Sequence, residues 1–147
     1  MSEAPRILVV TSRYYAHIAA ELEASVAAGL EKVGASYELL EVPGAFEIPG
    51  AIAMAAETGE YDGFVALGCV IRGETSHYDL ICSEVARGLM DLSLSGIPVG
   101  FGVLTVENEE QARVRADRKG KNKGAEVVSA VLRMVGLSYR FREGREE

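Results

Sequence analysis

His77 has the clearest potential for proton transfer in this chain. Ser76 precedes it and Asp79 follows it, an arrangement typical of a helix N-cap with a reciprocal acid at the third position. The positive end of a helix disfavours imidazolium, so this ring is expected to be neutral and able to accept a proton. The exposed backbone amides of residues 73–75 could hold a phosphate. A surface histidine at a helix start would show the same pattern, so both interpretations stay open.

A cluster of cations is the second chemical signal. The chain is acidic, with a net charge of −7, which argues against non-specific nucleic-acid binding. Six basic residues nevertheless fall between positions 113 and 123, where Asp117 is the only acid. They are Arg113, Arg115, Arg118, Lys119, Lys121 and Lys123. Such a concentration favours a local anion site, although a solvated helix face is the commoner explanation of charge alone.

Several further residues could bind or react. Tyr14 and Phe46 could stack on a flat ring, although core packing is the commoner fate of aromatic side chains. Glu47 could hydrogen-bond a polyol or an amine, or be a solvated acid. Cys69 follows a predicted strand, where a nucleophile could sit, but a small buried residue is the commoner outcome. The spacing of Cys69 and Cys82 fits no metal or redox motif, and no zinc site is predicted.

Hydrophobic patterns predict the elements that would position these residues. Runs rich in β-branched residues predict strands over 7–10, 37–42, 64–67 (with a possible continuation through 71) and 99–104. Apolar residues at helical spacing predict helices over 18–33, 49–59, 81–92 and 127–135. Asn108 followed by Gln111 is typical of a helix N-cap, and the charged chain after Leu137 is expected to fray.

The order β-α-β-α-β-α-β-α predicts an α/β fold with a four-stranded parallel sheet covered by helices on both faces. Right-handed crossovers make a flavodoxin-like three-layer α-β-α sandwich the simplest arrangement. Ligands of such sheets bind beyond the carboxyl ends of the strands, where residues 11–15, 43–49 and 72–77 fall.

The 147 residues predict one domain over 1–147, with flexible tails at 1–5 and 138–147. No apolar run approaches the roughly 20 residues that cross a bilayer. The N-terminus lacks the order of charges and apolar residues found in a secretory signal. We therefore expect a cytoplasmic protein without a membrane partner.

Three segments together resemble the lumazine synthase family. They are VPGAFEIP at 42–49, LGCVIRGETSHYD at 67–79 and NKG at 122–124, and the similarity extends from about Ile7 to Gly136. The resemblance implies an enzyme of riboflavin biosynthesis that condenses 5-amino-6-(D-ribitylamino)uracil with 3,4-dihydroxy-2-butanone 4-phosphate. The implied products are 6,7-dimethyl-8-ribityllumazine, phosphate and water. It also implies no metal or organic cofactor, and active sites between adjacent subunits of a homopentamer.

The resemblance assigns roles to individual residues. Within one subunit, Tyr14 is implied to stack on the ring, and the ribityl chain is bound by Ala45, Phe46 and Glu47. The backbone of Cys69, Val70 and Ile71 is implied to contact the uracil edge. The amides of Glu74 and Thr75 are implied to bind phosphate, and His77 to transfer protons. From the neighbouring subunit, Phe101 is implied to close over the ring, Arg115 to clamp the phosphate and Lys123 to line the site.

The chain departs from the family at two places. Tyr14 stands where many relatives have Phe or Trp, and Tyr15 stands where they have Asn. Residues 117–121 differ from the usual Gly-Thr-Lys pattern, which leaves open whether pentamers assemble further into a decamer or a shell. Two alternatives also stay open: a flavodoxin-like cysteine hydrolase using Cys69 with His77, and a non-catalytic binder of lumazines or flavins.

Overall fold

The computed structural model describes residues 4–73 and 77–146. Within these ranges the strands are β1 (Arg6–Ser12), β2 (Ser36–Val42), β3 (Gly63–Ile71) and β4 (Val99–Val106). The helices are α1 (Ala16–Lys32), α2 (Ile48–Ala56), α3 (His77–Leu94), α4 (Glu109–Ala116) and α5 (Lys123–Glu146), with a short 3₁₀ turn at Ala45–Glu47. None of these helices combines the length and apolarity that crossing a bilayer requires.

The sheet is entirely parallel, with the strand order β2-β1-β3-β4. This confirms the predicted four-stranded sheet and the flavodoxin-like three-layer sandwich. The chain moves outward from β1 to β2 and then returns to place β3 on the other side of β1. The direction of winding therefore changes between β1 and β3, which is where open α/β sheets form a ligand crevice.

Two hydrophobic layers enclose the sheet. Successive residues of a strand point to opposite faces, so Ile7 and Val9 pack with α1, α4 and α5, while Leu8 and Val10 pack with α2 and α3. Because β1 is buried on both faces, its sequence is a continuous apolar run rather than an alternating one. The same holds for the first part of β3.

Two helices follow β4, where the predicted element order ends in a single helix. The N-cap predicted at Asn108 is confirmed, since its Oδ1 accepts a hydrogen bond from the Gln111 amide at 2.9 Å. The Gln111 side chain in turn accepts from the Glu107 amide at 2.8 Å. The helix α4 buries Ala112 and Ala116 alone, so it carries no apolar stripe that periodicity could detect.

The last helix also extends further than its apolar stripe. The structure is helical as far as Glu146, whereas the sequence predicted fraying after Leu137. Tyr139 explains the difference, since its ring packs against the core and its hydroxyl donates to Asp62. The guanidinium of Arg142 lies 4.9 Å from the centroid of the Tyr139 ring. These contacts fasten the added turns to the sheet.

Gly102 lies in β4 directly opposite Leu67 of β3. A Cβ atom there would be 2.7 Å from Cδ2 of Leu67 and 2.8 Å from the carbonyl oxygen of Ala66. We expect Gly102→Ala to lower the free energy of unfolding by about 1–3 kcal/mol, because the strand backbone cannot move aside.

Gly136→Ala in α5 is the matched control, since nothing lies within 4 Å of the new Cβ. It is expected to raise the free energy of unfolding by about 0.5–1 kcal/mol, because alanine favours a helix. Urea denaturation at one protein concentration measures both variants. Equal effects of the two substitutions would contradict the close packing at Gly102.

Candidate active site

A cleft of about 690 Å³ opens at the carboxyl ends of β1, β2 and β3. We call it the aromatic cleft. It is lined by Ser12, Tyr14, Tyr15, Pro43, Gly44, Ala45, Phe46, Glu47, Cys69, Val70, Ile71, His77, Leu80 and Ile81. Its position beside the change in winding direction, and its mainly apolar walls with a few polar groups, are typical of a small-molecule site.

The loop after β1 places Tyr14 at the cleft. Glu23 of α1 holds this loop by accepting hydrogen bonds from Thr11 Oγ1 at 2.8 Å and from Arg13 Nε at 2.9 Å. The Tyr14 side chain is 77% exposed, and its ring meets the Tyr15 ring edge-on with centroids 5.0 Å apart. The alternative of core packing is therefore wrong for Tyr14, and its ring is available to a flat ligand.

The short turn after β2 presents Phe46 and Glu47. Ala45 and Ile48 are buried and anchor the turn on either side, while Phe46 is 55% exposed. A Cβ atom on Gly44 would lie 3.1 Å from Oε1 of Glu47, so the carboxylate folds back over the glycine. An apolar ring and a carboxylate thus stand side by side, a pairing that suits a polyol chain attached to a ring.

The end of β3 offers backbone groups to the aromatic cleft. Strand β3 pairs with β1 only as far as Leu67, opposite Thr11, but its pairing with β4 continues to Ile71, opposite Val106. One backbone edge of residues 69–71 therefore has no strand partner in the described part of the chain. Backbone N–H and C=O groups need hydrogen-bond partners once a bound ligand covers them, so this half-buried edge is suited to hydrogen bonds with a ligand.

His77 is the first residue of α3, as predicted, and it lines the aromatic cleft. Asp79 stands in the same first turn. The predicted cap Ser76 and the predicted phosphate-binding residues Glu74 and Thr75 lie outside the described residues. An imidazole at the rim of an apolar cleft is well placed to exchange protons with a bound substrate.

Arg72 joins the elements on either side of this segment. Its Nε lies 2.7 Å from Oε2 of Glu107, and its guanidinium lies 4.5 Å from the centroid of the Tyr78 ring. Its backbone amide donates to the carbonyl of Val106 at 2.9 Å. The end of β3, the start of α3 and the end of β4 are held together by this one residue.

Cys69 is a half-buried thiol on the wall of the aromatic cleft. Burial raises the pKa of Cys69 from 9.0 to about 11, and the negative charge of Glu109 acts in the same direction. Glu109 itself contacts His17, whose Nε2 lies 2.6 Å from Oε1 of Glu109. At neutral pH Cys69 is a thiol, which argues against the cysteine hydrolase because the thiolate is the nucleophilic form.

A second cleft, of about 270 Å³, lies along β4 and the connection between α4 and α5. We call it the cationic cleft. Its lining residues are Phe101, Val103, Leu104, Thr105, Val106, Arg115, Lys121, Lys123 and Glu126, and it shares none of them with the aromatic cleft. Three cations and one acid give its opening a positive charge, which suits an anionic ligand.

Local backbone geometry explains the NKG segment. Asn122 has a φ of 46°, in the left-handed region that asparagine tolerates, and its Oδ1 accepts from Ser25 Oγ at 2.5 Å. A Cβ atom on Gly124 would lie 2.6 Å from the Ser25 side chain, so only glycine allows α5 to approach α1 this closely. These two residues hold Lys123 at the cleft, with Nζ 3.1 Å from Oε1 of Glu126.

The assigned residues divide between the two clefts. The described residues that the resemblance assigns to one subunit lie in the aromatic cleft. Phe101, Arg115 and Lys123, given to the neighbour, lie in the cationic cleft. Sequence reasoning did not single out Leu80, and it named Lys121 only as a member of the cation cluster. Their signals were present, since Leu80 lies three residues after His77 and Lys121 is one of the six clustered cations.

Residues 4–138 match the family described as 6,7-dimethyl-8-ribityllumazine synthase. A protein of that name from Erythrobacter litoralis is 52% identical over 136 residues, which cover 92% of this chain and 97% of the relative. Those from Zymomonas mobilis and Sphingopyxis alaskensis are 50% and 49% identical, over 92% and 94% of this chain and 98% of each relative. This chain belongs to the lumazine synthase family. The family resemblance of the three sequence segments is thereby confirmed.

The raised pKa of Cys69 can be tested through the reactivity of its thiol. In a Cys82→Ser variant at pH 8, iodoacetamide should modify Cys69 about 100-fold more slowly than an equally accessible thiol of ordinary pKa, because fewer thiols are ionised. The rate should still be rising at pH 10. The same variant unfolded in urea is the control. A rate that levels off below pH 9 in the folded protein would contradict the raised pKa.

Proposed function

We propose that this protein is a transferase-class enzyme that condenses 5-amino-6-(D-ribitylamino)uracil with 3,4-dihydroxy-2-butanone 4-phosphate. The products are 6,7-dimethyl-8-ribityllumazine, phosphate and water, which places the reaction in riboflavin biosynthesis. Family membership over nearly the whole chain supports the reaction. The division of the assigned residues between two separate clefts is the observation that supports the way in which the chain performs it.

The aromatic cleft would hold the aminouracil. The exposed ring of Tyr14 stacks on the pyrimidine, and Phe46 and Glu47 receive the ribityl chain. The unpaired backbone edge formed by Cys69, Val70 and Ile71 hydrogen-bonds the uracil edge. Ala45 and Ile81 close the apolar wall. A planar heterocycle with a hydroxylated chain fits this surface because each part of it meets a group of matching chemistry.

The cationic cleft would hold the phosphate of the second substrate. Arg115, at the end of α4, binds the phosphate oxygens by charge-assisted hydrogen bonds, and Lys123 lines the site beside it. Phe101, whose ring is 42% exposed, covers the bound heterocycle. The remaining phosphate contacts would come from the amides of Glu74 and Thr75.

The complete site would form where the cationic cleft of one subunit meets the aromatic cleft of the next. Because the two surfaces differ, the contact is head-to-tail and closes into a ring, as in a homopentamer. No cofactor is required, since the amine and the ketone react with each other directly. A cytoplasmic location, where both substrates would be available, is part of this proposal.

Positioning supplies much of the rate in such a reaction. An arylamine and a ketone condense readily once they are held together. His77 moves the protons needed to form the imine and expel water. Phosphate then leaves by elimination, and ring closure releases water again. Arg115 stabilises the charge on the departing phosphate.

Incubation of the protein with both substrates tests the function directly. The lumazine product is followed by its fluorescence, and released phosphate is measured in the same sample. Equal amounts of lumazine and phosphate are expected. Binding of lumazine without its formation would instead identify a non-catalytic binder.

Replacement of His77 tests its part in the chemistry. We expect His77→Ala to lower kcat by about 100-fold or less, because general acid–base catalysis is lost while positioning remains. The KM values should change little. His17→Ala is the matched control, since His17 lies outside both clefts and forms an exposed pair with Glu109. An unchanged kcat in His77→Ala would remove this residue from the mechanism.

A further inference from the structure

Lys121 lines the cationic cleft together with Arg115 and Lys123. It belongs to the turn between α4 and α5 and is one of the six clustered cations. None of the roles given above includes it. Its ammonium group is nevertheless the third positive charge at the cleft that is proposed to receive a phosphate.

The three cations of this cleft differ in how they are partnered. Lys123 forms an ion pair with Glu126 at 3.1 Å. Arg115 donates to the backbone carbonyl of Gln111 at 3.1 Å. Among the residues that the structure describes, neither Arg115 nor Lys121 forms an ion pair with a carboxylate, and the Lys121 ammonium forms no hydrogen bond.

In the described part of the chain Lys32, Arg118, Lys119 and Arg133 also lack a carboxylate partner, but they line neither cleft. The chain is acidic overall. It contains 22 acidic residues against 15 Lys and Arg, so carboxylates are abundant. Five arginines elsewhere are paired with them, namely Arg6, Arg13, Arg72, Arg87 and Arg113. Two cations that line one cleft without such partners leave their charge available to an anion from outside the chain.

The backbone fixes the base of the Lys121 side chain. The Lys121 amide donates to the carbonyl of Val114 in α4 at 3.0 Å, and the Asn122 amide donates to the carbonyl of Asp117 at 3.0 Å. A Cβ atom on Gly120 would lie 2.5 Å from the same Val114 oxygen, so the turn passes directly against α4. The lysine thus starts from a rigid turn at the mouth of the cleft.

We propose that Lys121 is a further phosphate-binding residue, which supplies the second positive charge beside Arg115. A phosphate monoester carries a charge of about −1.5 to −2 at neutral pH. Glu126 already offsets Lys123, so Arg115 alone would leave the bound phosphate incompletely neutralised. Arg115 gives directional hydrogen bonds and Lys121 a point charge. This inference rests on the proposed function, which provides the phosphate.

The test compares Lys121→Met with Arg118→Met. Both variants remove one positive charge from the same turn, but Arg118 does not line the cleft. Isothermal calorimetry gives the Kd of inorganic phosphate, and steady-state kinetics gives the KM of the butanone phosphate, at one ionic strength. Lys121→Met should raise both by about three- to fivefold, the upper part of the range expected for an exposed ion pair, with little change in kcat.

Arg118→Met should change neither value by more than about twofold, because a charge outside the cleft is screened by salt. Lys121→Arg should keep the wild-type values. Unchanged values in Lys121→Met, or equal changes in both methionine variants, would overturn the role of Lys121. Calorimetry needs no turnover, so a wild-type protein that binds phosphate through Lys121 but makes no lumazine would overturn the proposed function alone.

Discussion

The pairing of β3 with β4 beyond the end of β1 is the constraint on which both clefts depend. Residues 68–71 pair with β4 on one side, and on the other side no strand among the described residues pairs with them. Their free edge forms the floor of the aromatic cleft, while the β4 residues opposite them, from Val103 to Val106, line the cationic cleft. A shift of one residue in this register would turn every side chain of β4 to the opposite face and dismantle the cationic cleft. Gly102 and the backbone of Arg72 secure the register at the two ends of this stretch.

Charge is distributed unevenly between the two surfaces. The aromatic cleft contains a thiol that stays protonated because burial raises its pKa, together with exposed rings and one imidazole. The cationic cleft contains two cations that no described carboxylate neutralises. One surface is thus suited to a flat, uncharged heterocycle and the other to an anion. The reaction proposed for this lumazine synthase family member needs a surface for the heterocycle and a surface for the anion at the same time. Neither cleft offers both surfaces, which is the physical reason for proposing a site shared between subunits.

Much of this arrangement could be predicted from the sequence, because the signals were local or strongly periodic. The buried runs of β1 and β3 and the stripe of α1 determined the sheet and its covering helices, and the start of α3 at His77 followed from capping. Helix α4 could not be seen as a separate element, since two alanines form its entire buried face. The extension of α5 depends on Tyr139 reaching Asp62, a contact across 77 positions of sequence that no local pattern contains. The separation of the two clefts likewise depends on strand register, so the sequence could name many of their residues without showing that they form two surfaces.

Subunit complementation tests most directly whether the two clefts of neighbouring chains form one site. His77→Ala impairs the aromatic cleft and Arg115→Met impairs the cationic cleft, and the two variants are co-expressed in equal amounts with different tags so that mixed oligomers can be isolated. If the site is shared, an interface is intact only when an Arg115→Met chain supplies the aromatic cleft and a His77→Ala chain supplies the cationic cleft. Each of these two conditions is met with an even chance, so about a quarter of the interfaces should be intact. The mixed oligomers should then form lumazine at about a quarter of the wild-type rate, well above the mean of the two parent variants. Activity no greater than that mean would show that each site lies within a single chain, and would contradict the account.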